Sequence, residues 1–352
     1  MPNKAVSIRD VAERANVSIA TVSNVLNRRC NVSAELRARV SQAVDELGYV
    51  ANPIARGMRN SRTYSVGILV LDINCIFFAP LLKGAQQVLA KAGYNVNIYD
   101  SCYDSELELK YVGNMRNNLV DGLILVGIAN RENLGFYQRL NEDARQRPFP
   151  IISIENDLCE MGIDSVFIDT NKAAYDATNH LIELGCRRIA HIKAPAAITA
   201  SDIRRDGYAK ALQDGGVNRY KELEQDGNYS AISGYNAINA LLRGGLAFDG
   251  VFAANDQMAV GALRALRNAE YRVPEDVKVV GFDNTFIASI VEPALTTVDV
   301  PKFEMGAAAA RQLLERLENP DIKPMRIQMD YELVIRRSTM ASARTNWDME
   351  HW

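Results

Sequence analysis

Apolar residues in the first fifty positions recur every three or four residues, which is the spacing of amphipathic helices. Three such stripes predict three short helices. Their inward positions are Ile8, Val11, Ala12 and Ala15, then Val22, Val25 and Leu26, then Leu36, Val40, Val44 and Leu47. Ser7, Ser18 and Ser33 stand where helix N-caps are expected. Gly48 stands where the third helix would stop, and Asn16-Val17 would form the turn between the first two.

The second predicted helix has an outward face without charge. Solvated helix faces usually carry Glu and Lys, so this face is expected to lie against another surface. In a helix-turn-helix the second helix enters the major groove. There Ile19 and Ala20 would meet thymine methyls and Asn24 would read a base edge. The residues expected at phosphates are Ser18, Thr21, Ser23 and Asn27. A three-helix protein–protein module is the alternative.

From Tyr64 onward, short β-branched runs alternate with helical stretches, which predicts βαβ units and parallel sheets. The strands are expected at residues 65–72, 95–100, 121–128, 151–155, 165–169, 188–193, 249–256, 277–284 and 295–300. VDGLILV and FDGVFAA look like equivalent strands of two halves. We therefore expect two Rossmann-like subdomains with parallel sheets and a cleft between them, with ligands at the carboxyl ends of the strands.

Polar residues follow several of these predicted strands. They are Asp72, Glu155, Asn255, Asp256, Asp283 and Asn284. Carboxylates and amides at strand ends suit a hydroxyl-rich ligand. At any single position a helix N-cap or a turn residue is the commoner role, but as a convergent set these residues favour a pocket.

Composition narrows the class of protein. The chain has 352 residues, 48% of them hydrophobic and 24% charged, which is enough for two or three domains. It contains no apolar run of the ~18 residues that a membrane span needs. Its first residues lack the long apolar core of a secretory signal peptide. Five cysteines without CxxC spacing favour free thiols in a reducing cytoplasm over disulfides or structural zinc.

Charge is distributed unevenly along the chain. Residues 1–62 hold ten Lys or Arg and five acids, which gives this segment a charge of +5. Because the whole chain has a net charge of −3, the remaining residues carry −8. A small basic module on an acidic body indicates a polyanionic partner for the module, and together with the uncharged helix face it favours double-stranded DNA.

A short segment after Tyr49 has its own pattern. Asn52 suits an N-cap, and Pro53 suits the first helical position. Ile54 and Met58 share one face, with arginines beside them, which suits insertion into a minor groove. Because so short a helix is marginal in water, it would fold only against a partner. A plain linker is the alternative.

The sequence DVAERANVSIATVSNVLN, a third helix ending in LGY, and IARGM together resemble the LacI family of bacterial transcription regulators. The body is similar to this family too, through LDINCIFFAPLLKGA, CRRIAHIKAP, RRDGYAKAL, AANDQMAVGALRAL, VVGFDN and LVIRRST. The resemblance implies a homodimeric regulator that binds a palindromic operator and whose hinge helices order on DNA. The hinge residues expected at DNA are Asn52, Ile54, Ala55, Arg56 and Met58. The family wedge is usually Leu where this chain has Met58, and the family proline lies slightly before Pro53.

The same resemblance implies an effector pocket, for a sugar or sugar derivative, between periplasmic-binding-protein-like subdomains. Arg204 matches the arginine that grips the effector, and Asp283 matches the opposing acid. The matching aromatic and polar lining positions are Phe77, Phe78, Tyr229, Asn255 and Glu155. Two departures are Cys75-Ile76, which would narrow the pocket, and Lys193-Ala194-Pro195. If Lys193 lay near Arg204 it would favour an anionic effector, whereas a solvated lysine is the plain alternative.

Enzyme function is not expected. The three histidines lack partners at catalytic or metal-ligand spacing, and no nucleotide, hydrolase or protease motif is present, so no cofactor or metal is predicted. His180 is predicted to lie in a helix and His191 in a strand, and both are interpreted as structural residues. A regulator controlled by a protein partner, a solute-binding protein and a carbohydrate enzyme remain as alternatives.

The predicted organisation has four parts. Residues 1–50 form the helix-turn-helix domain, 51–63 the hinge, 64–340 the effector-binding and dimerisation domain, and 341–352 a tail. The subdomains of the body are expected at about 64–167 with 301–328, and about 168–300 with 329–340. The tail lacks an apolar heptad repeat, so no tetramerising coiled coil is predicted.

Overall fold

The computed structural model describes residues 6–26, 32–49, 62–128, 131–143, 149–194 and 199–344. The chain divides into two compact units, residues 1–64 and 65–352. The described part of the first unit contains helices α1 (Ile8–Ala15), α2 (Ile19–Leu26) and α3 (Ala34–Leu47). These are the three helices that the apolar spacing predicts.

Local hydrogen bonds fix the ends of these helices. The Asp10 carboxylate accepts a hydrogen bond from the backbone N–H of Ser7 at 2.7 Å, which closes a capping box at the start of α1. Asn16 ends α1 with a φ of 51°, a left-handed conformation that asparagine tolerates better than most residues. Ser18 Oγ accepts from the N–H of Thr21 at 3.1 Å and begins α2.

The three helices share one apolar core. Its buried members are Val11, Ala12, Ala15, Val22, Val25, Val40 and Ala43. Ala43 was not among the predicted inward positions, and Leu36, Val44 and Leu47, which were, are only half-buried. Arg39 adds a polar tie, since its Nη2 donates to the carbonyl oxygens of Ala15 at 2.6 Å and Asn16 at 3.0 Å.

The second unit contains two six-stranded sheets. The first comprises β1 (Ser65–Val70), β2 (Asn95–Asp100), β3 (Gly122–Leu125), β4 (Ile151–Ile154), β5 (Asp164–Ile168) and β11 (Arg326–Met329). The second comprises β6 (Ile189–Lys193), β7 (Glu224–Asp226), β8 (Gly250–Ala253), β9 (Lys278–Asp283), β10 (Thr296–Asp299) and β12 (Glu332–Val334). The strand orders are β11-β5-β4-β3-β1-β2 and β12-β10-β9-β8-β6-β7.

Helices flank each sheet. Those of the first subdomain are α4 (Phe78–Lys91), α5 (Ser105–Asn114), α6 (Arg131–Asp143) and α12 (Lys302–Glu318), with a π-helical segment at Met115–Leu119. Those of the second are α7 (Thr170–Glu183), α8 (Thr199–Asp214), α9 (Ala231–Arg243), α10 (Asp256–Asn268) and α11 (Phe286–Ile290). Short 3₁₀ turns lie at Cys159–Met161 and Lys221–Leu223.

The chain crosses between the subdomains three times. The crossings follow β5 at residue 169, join β10 to α12 at residues 300–301, and join β11 to β12 at residues 330–331. Each subdomain is therefore built from separate stretches of sequence. The predicted pair of Rossmann-like subdomains is confirmed.

Two features of the sheets differ from the prediction. β10 and β12 pair antiparallel, whereas every other strand pair is parallel. Strands β7, β11 and β12 were not predicted. β7 is the polar tripeptide Glu224–Asp226, and the other two are short edge strands without a buried apolar run. Edge strands of this kind lack the pattern on which the prediction depends.

Helix pairs in both subdomains cross closely at glycines. A Cβ on Gly84 of α4 would overlap the Phe303 carbonyl of α12, and one on Gly234 of α9 would overlap the Met258 carbonyl of α10. Gly261 of α10 meets the backbone of α9 in the same way. Glycine at these positions therefore allows the two helix backbones of each pair to pack in direct contact.

Candidate functional site

One cavity between the two subdomains collects the predicted pocket residues. It is lined by Leu71, Cys75, Phe77, Phe78, Tyr103, Glu155, Arg204, Tyr229, Asn255 and Asp283. The first six come from the first subdomain and the last four from the second. All seven residues predicted to contact an effector are in this set.

The cavity has little internal volume. The cleft holds about 360 Å³ of unfilled space when its open mouth is included, but the internal volume is only about 30 Å³. The internal volume is far below the ~300–1,000 Å³ that is typical of small-molecule pockets. A ligand of sugar size can enter only when the lining residues move apart.

Arg204 is the charged centre of the cavity. Its Nη2 lies 3.4 Å from Glu155 Oε1 and 3.8 Å from Asp283 Oδ1, and its Nη1 donates to the carbonyl of Ala254 at 2.5 Å. The guanidinium lies 4.1 Å from the centroid of the Phe282 ring, within cation–π range. Burial and these contacts fix the guanidinium before any ligand binds.

Two buried polar atoms at this centre have no hydrogen-bond partner among the described residues. They are Arg204 Nε and Asp283 Oδ1. A buried polar group left without a partner costs about 1–3 kcal/mol. One donor and one acceptor are therefore ready for a polar molecule in the cleft.

Burial shifts the acid–base behaviour of the lining. It raises the pKa of Asp283 well above its usual value and raises that of Glu155, while the Arg204 guanidinium opposes both shifts. Burial also raises the pKa of the Cys75 thiol to about 12, so this group stays neutral. Ionisation of either acid in the cavity therefore costs free energy, and shifted pKa values of this kind are common at functional sites.

The backbone at the cavity is also unusual. Tyr103, Glu155, Tyr229 and Asp283 have φ values of 59°, 69°, 66° and 102°. Non-glycine residues rarely adopt positive φ, and such conformations cluster at ligand sites. At Asp283 the buried Lys302 ammonium donates to the carbonyl and helps to hold the turn.

Several contacts bridge the subdomains across the cleft. Besides the Arg204–Glu155 ion pair, the rings of Tyr103 and Tyr229 stack with centroids 6.1 Å apart and planes 28° apart. The N–H of Ile76 donates to Gln257 Oε1 at 3.3 Å. Opening the cleft must break or rearrange these contacts, so occupancy and subdomain orientation are physically linked.

The side-chain amide of Asn255 makes two hydrogen bonds to the protein backbone. Its Oδ1 accepts from the N–H of Met258 at 2.9 Å and caps α10, and its Nδ2 donates to the Tyr229 carbonyl at 3.0 Å. Both ends of the amide are therefore engaged. Asn255 fixes the backbone of Tyr229 in addition to lining the cavity.

Of the other strand-end residues, Asp72 has the local turn role, whereas Asp256 and Asn284 bond side chains distant in the sequence. Asp72 accepts from the N–H of Asn74 at 2.9 Å. Asp256 accepts from the Thr285 hydroxyl at 2.9 Å and from Thr297 at 2.5 Å. Asn284 donates to Asp299 at 3.0 Å. None of these three residues lines the cavity.

Lys193 has an acidic partner in its own sheet. Its ammonium pairs with Asp226 at 2.9 Å on the neighbouring strand β7, and it is not among the lining residues. The lining residues that sequence reasoning did not assign to the site are Leu71 and Tyr103, whereas Cys75 was expected at the pocket. Tyr103 lies just past β2, so its position at a strand end was the available signal.

The outward face of α2 lies in the first unit. Ser18 and Ala20 are exposed, and Thr21, Ser23 and Asn24 are half-buried. Ile19 packs partly against the helical core, so less of it is free for a thymine methyl than the prediction assumes. Six predicted DNA contacts lie outside the described residues, namely Asn27, Asn52, Ile54, Ala55, Arg56 and Met58.

The described residues hold no group of three or more His, Cys, Asp or Glu side chains arranged for a metal ion. In the same parts of the chain, every helix is too short or too polar to cross a bilayer. His180 bonds Thr339 at 3.0 Å, and His191 stacks between Tyr208 and Phe252. Both are buried structural residues, as predicted.

A three-helix unit and a two-subdomain α/β body with a polar cleft define a DNA-binding protein with a ligand-binding body. The sequence profile for bacterial regulatory proteins of the lacI family matches residues 7–52, and that for a periplasmic binding protein-like domain matches residues 178–339. The HTH-type transcriptional regulator RegA of Clostridium saccharobutylicum is 36% identical, over 96% of this chain and 100% of the relative. The chain belongs to the LacI family of bacterial transcriptional regulators.

Two solved structures are similar over nearly the whole chain. The lac repressor dimer bound to operator and the anti-inducer ONPF matches with a TM-score of 0.85 and 26% identity, over 96% of this chain and 100% of that one. The complex of the transcriptional regulator CelR with cellobiose matches with a TM-score of 0.70 and 31% identity, over 95% and 99%. This chain is therefore a DNA-binding transcriptional regulator and not an enzyme.

Proposed function

We propose that this protein is a repressor whose operator affinity is controlled by a sugar or sugar derivative bound between the two subdomains. The observation that carries the proposal is the buried Arg204 held between Glu155 and Asp283 in a cavity that both subdomains line. The cellobiose complex of the similar regulator CelR supports the ligand class.

The chemistry of the lining suits a hydroxylated ring. A guanidinium donates to hydroxyl oxygens, carboxylates accept from hydroxyl protons, and aromatic side chains cover the apolar face of a sugar. The unpartnered Asp283 Oδ1 and Arg204 Nε would bond the ligand directly. Phe77, Phe78 and Tyr229 would pack on it.

Binding would be coupled to operator affinity through the cleft. Because the empty cavity is too small for a sugar, the ligand must replace the Arg204–Glu155 contact and part the Tyr103–Tyr229 stack. The subdomains then take a different relative position. By linkage, the operator would change ligand affinity by the same factor as the ligand changes operator affinity.

The DNA half of the proposal rests on sequence. Two protomers of a homodimer would each read one half-site of a palindromic operator with α2, through Ser18, Ile19, Ala20, Thr21, Ser23, Asn24 and Asn27. The hinge within residues 51–63 would enter the central minor groove through Asn52, Ile54, Ala55, Arg56 and Met58. We place the helix-turn-helix at 1–50, the body at 64–340 and the tail at 341–352. The protein would act on the chromosome in the bacterial cytoplasm.

The first experiment is a thermal-shift screen of the full chain against sugars, sugar phosphates, sugar acids and nucleosides. A ligand at ~100 times its Kd should stabilise the protein by about 2.7 kcal/mol. Duplexes selected from a random library would then be titrated with and without the active ligand. A shift with one ligand and a change in DNA affinity is expected. No shift with any ligand would favour control by a protein partner instead.

A further inference from the structure

Acidic side chains outnumber cationic side chains at the cavity. Among the described lining residues Arg204 is the cation, and Glu155 and Asp283 are the acids. Behind the wall, buried Asp256 adds a third carboxyl group and buried Lys302 adds a second cation. The cluster therefore holds three carboxyl groups and two cationic groups.

The cations are largely engaged by acids and carbonyls, and among the described residues Arg204 Nε is the donor of Arg204 that has no partner. Arg204 is shared between two carboxylates and the Ala254 carbonyl. The Lys302 ammonium donates to the carbonyls of Asp283, Asn284 and Val300. Lys193, the lysine that would have added positive charge, is paired with Asp226 instead.

The open hydrogen-bonding position at Asp283 also favours a neutral ligand. Its Oδ1 is buried, accepts no hydrogen bond from the described residues and needs a donor. A sugar hydroxyl supplies a proton, whereas a deprotonated phosphate or carboxylate group offers only acceptors. An anion placed there would leave the acceptor unpaired and bring like charges together.

Glu155 differs from Asp283 in its position. Asp283 lies on the same subdomain as Arg204, but Glu155 follows β4 on the opposite subdomain and its side chain is 20% exposed. Its positive φ holds it towards Arg204 across the cleft. Glu155 is therefore the acid that a ligand on Arg204 must meet whenever the subdomains close.

We propose that Glu155 is a specificity-determining residue that makes the cavity bind a neutral polyhydroxylated ligand and reject the same ligand bearing a phosphate or carboxylate. This inference rests on the proposed effector-binding function. It names the charge class of the effector and the side chain that selects it.

The test compares matched neutral and anionic probes by isothermal titration calorimetry on the full chain at pH 7.5. The pairs are D-ribose and ribose 5-phosphate, D-glucose and glucose 6-phosphate, cellobiose and cellobionate, and uridine and uridine 5′-monophosphate. In the wild type, the neutral member of the active pair should bind at least tenfold more tightly. Glu155→Gln should reduce that ratio at least fivefold, mainly by tightening the anion.

Two further variants separate charge from structure. Glu155→Asp keeps the carboxylate and should retain discrimination within about threefold of wild type. Glu318→Gln removes an exposed acid that does not line the cavity, and should leave the ratio unchanged within twofold. Together they show whether a change in the ratio follows from the loss of this one charge.

The outcomes distinguish the inference from the proposed function. An anion that binds the wild type as tightly as its neutral counterpart would overturn the inference and leave effector binding intact. A ratio that is unchanged in Glu155→Gln would overturn the role of Glu155. Absence of binding by all eight probes, with no thermal shift in the wider screen, would overturn the proposed function and the inference with it.

Discussion

Replacing Arg204 tests how strongly the cavity depends on one cation. Arg204→Met keeps most of the aliphatic stem that packs beside Phe282 but removes the guanidinium. Asp283→Asn removes the charge of the opposing acid with little change of shape. In the native protein the two groups lie 3.8 Å apart, and their side chains are only 4% and 6% exposed.

The expected magnitudes follow from this geometry. Two unit charges 3.8 Å apart attract by about 4 kcal/mol at an effective dielectric constant of about 20, which sets an upper figure. Removing one partner of a buried pair typically costs about 3–5 kcal/mol, because the other charge is left uncompensated. Arg204→Met should therefore lower the free energy of unfolding by about 3 kcal/mol or more. Asp283→Asn should change it by less than about 1 kcal/mol, because burial already disfavours the Asp283 carboxylate and raises its pKa.

The assay is urea unfolding at pH 7.5, followed by far-UV circular dichroism, on both single variants and the double variant. We expect the double variant to recover about 2 kcal/mol relative to the sum of the singles. Arg205→Met is the matched control. It removes a 37%-exposed arginine on the same helix, paired with surface acids, and should change stability by less than about 0.5 kcal/mol. Additive effects within 0.5 kcal/mol would refute the electrostatic coupling.

Three other predictions address the fold and the DNA-reading face. Burial lowers the pKa of His191 to about 4, below its usual 6.5, so its contribution to stability is present above pH 6.5 and lost as the pH falls towards 4. This loss is about 2 kcal/mol between pH 7 and pH 5. His191→Phe should remove it, and a stability difference from wild type that does not vary with pH would contradict the prediction. Gly261→Ala should cost about 3 kcal/mol in urea unfolding because its Cβ would overlap the Ala231 carbonyl, whereas Gly113→Ala, with no atom within 4 Å, should not destabilise. Asn24→Ala should alter the base preference found by selection from random duplexes but leave the salt dependence of binding intact; a uniform loss on all sequences would make Asn24 a phosphate contact.

Much of the fold could be predicted because its signals are local. The central strands are short buried β-branched runs such as SVGILV in β1, and the helices of the first unit carry regular apolar spacing with serine caps. The three strands that escaped prediction are short and lie at sheet edges. There, pairing is decided by neighbouring strands and not by the residues themselves.

The ion pair of Lys193 depends on β7, one of the strands that were not predicted. Sequence alone placed an unpaired lysine near the pocket, because its partner Asp226 is 33 positions away and belongs to β7. The parallel register sets Lys193 opposite Asp226. Without that strand the ion pair could not be predicted from the sequence.

Most lining residues could be predicted from the sequence, whereas contacts between lining residues distant in the sequence could not. Strand-end position and family resemblance together identified Arg204, Asp283 and their neighbours. Tyr103 also follows a strand, but tyrosine is not a polar strand-end signal, so its stacking on Tyr229 was not foreseen. The double engagement of Asn255 depends on a carbonyl 26 residues earlier, which only the folded chain brings near.

The most direct test measures whether a change at the cleft alters the effect of the effector on operator affinity. Operator binding by the full chain is measured by fluorescence anisotropy, with and without saturating effector, in the wild type and in Asp283→Asn. If the cleft controls DNA binding, the effector should change the operator Kd at least tenfold in the wild type and less than twofold in the variant, while the effector-free Kd values agree within about threefold. An equal effector response in the two proteins would show that control does not pass through this site.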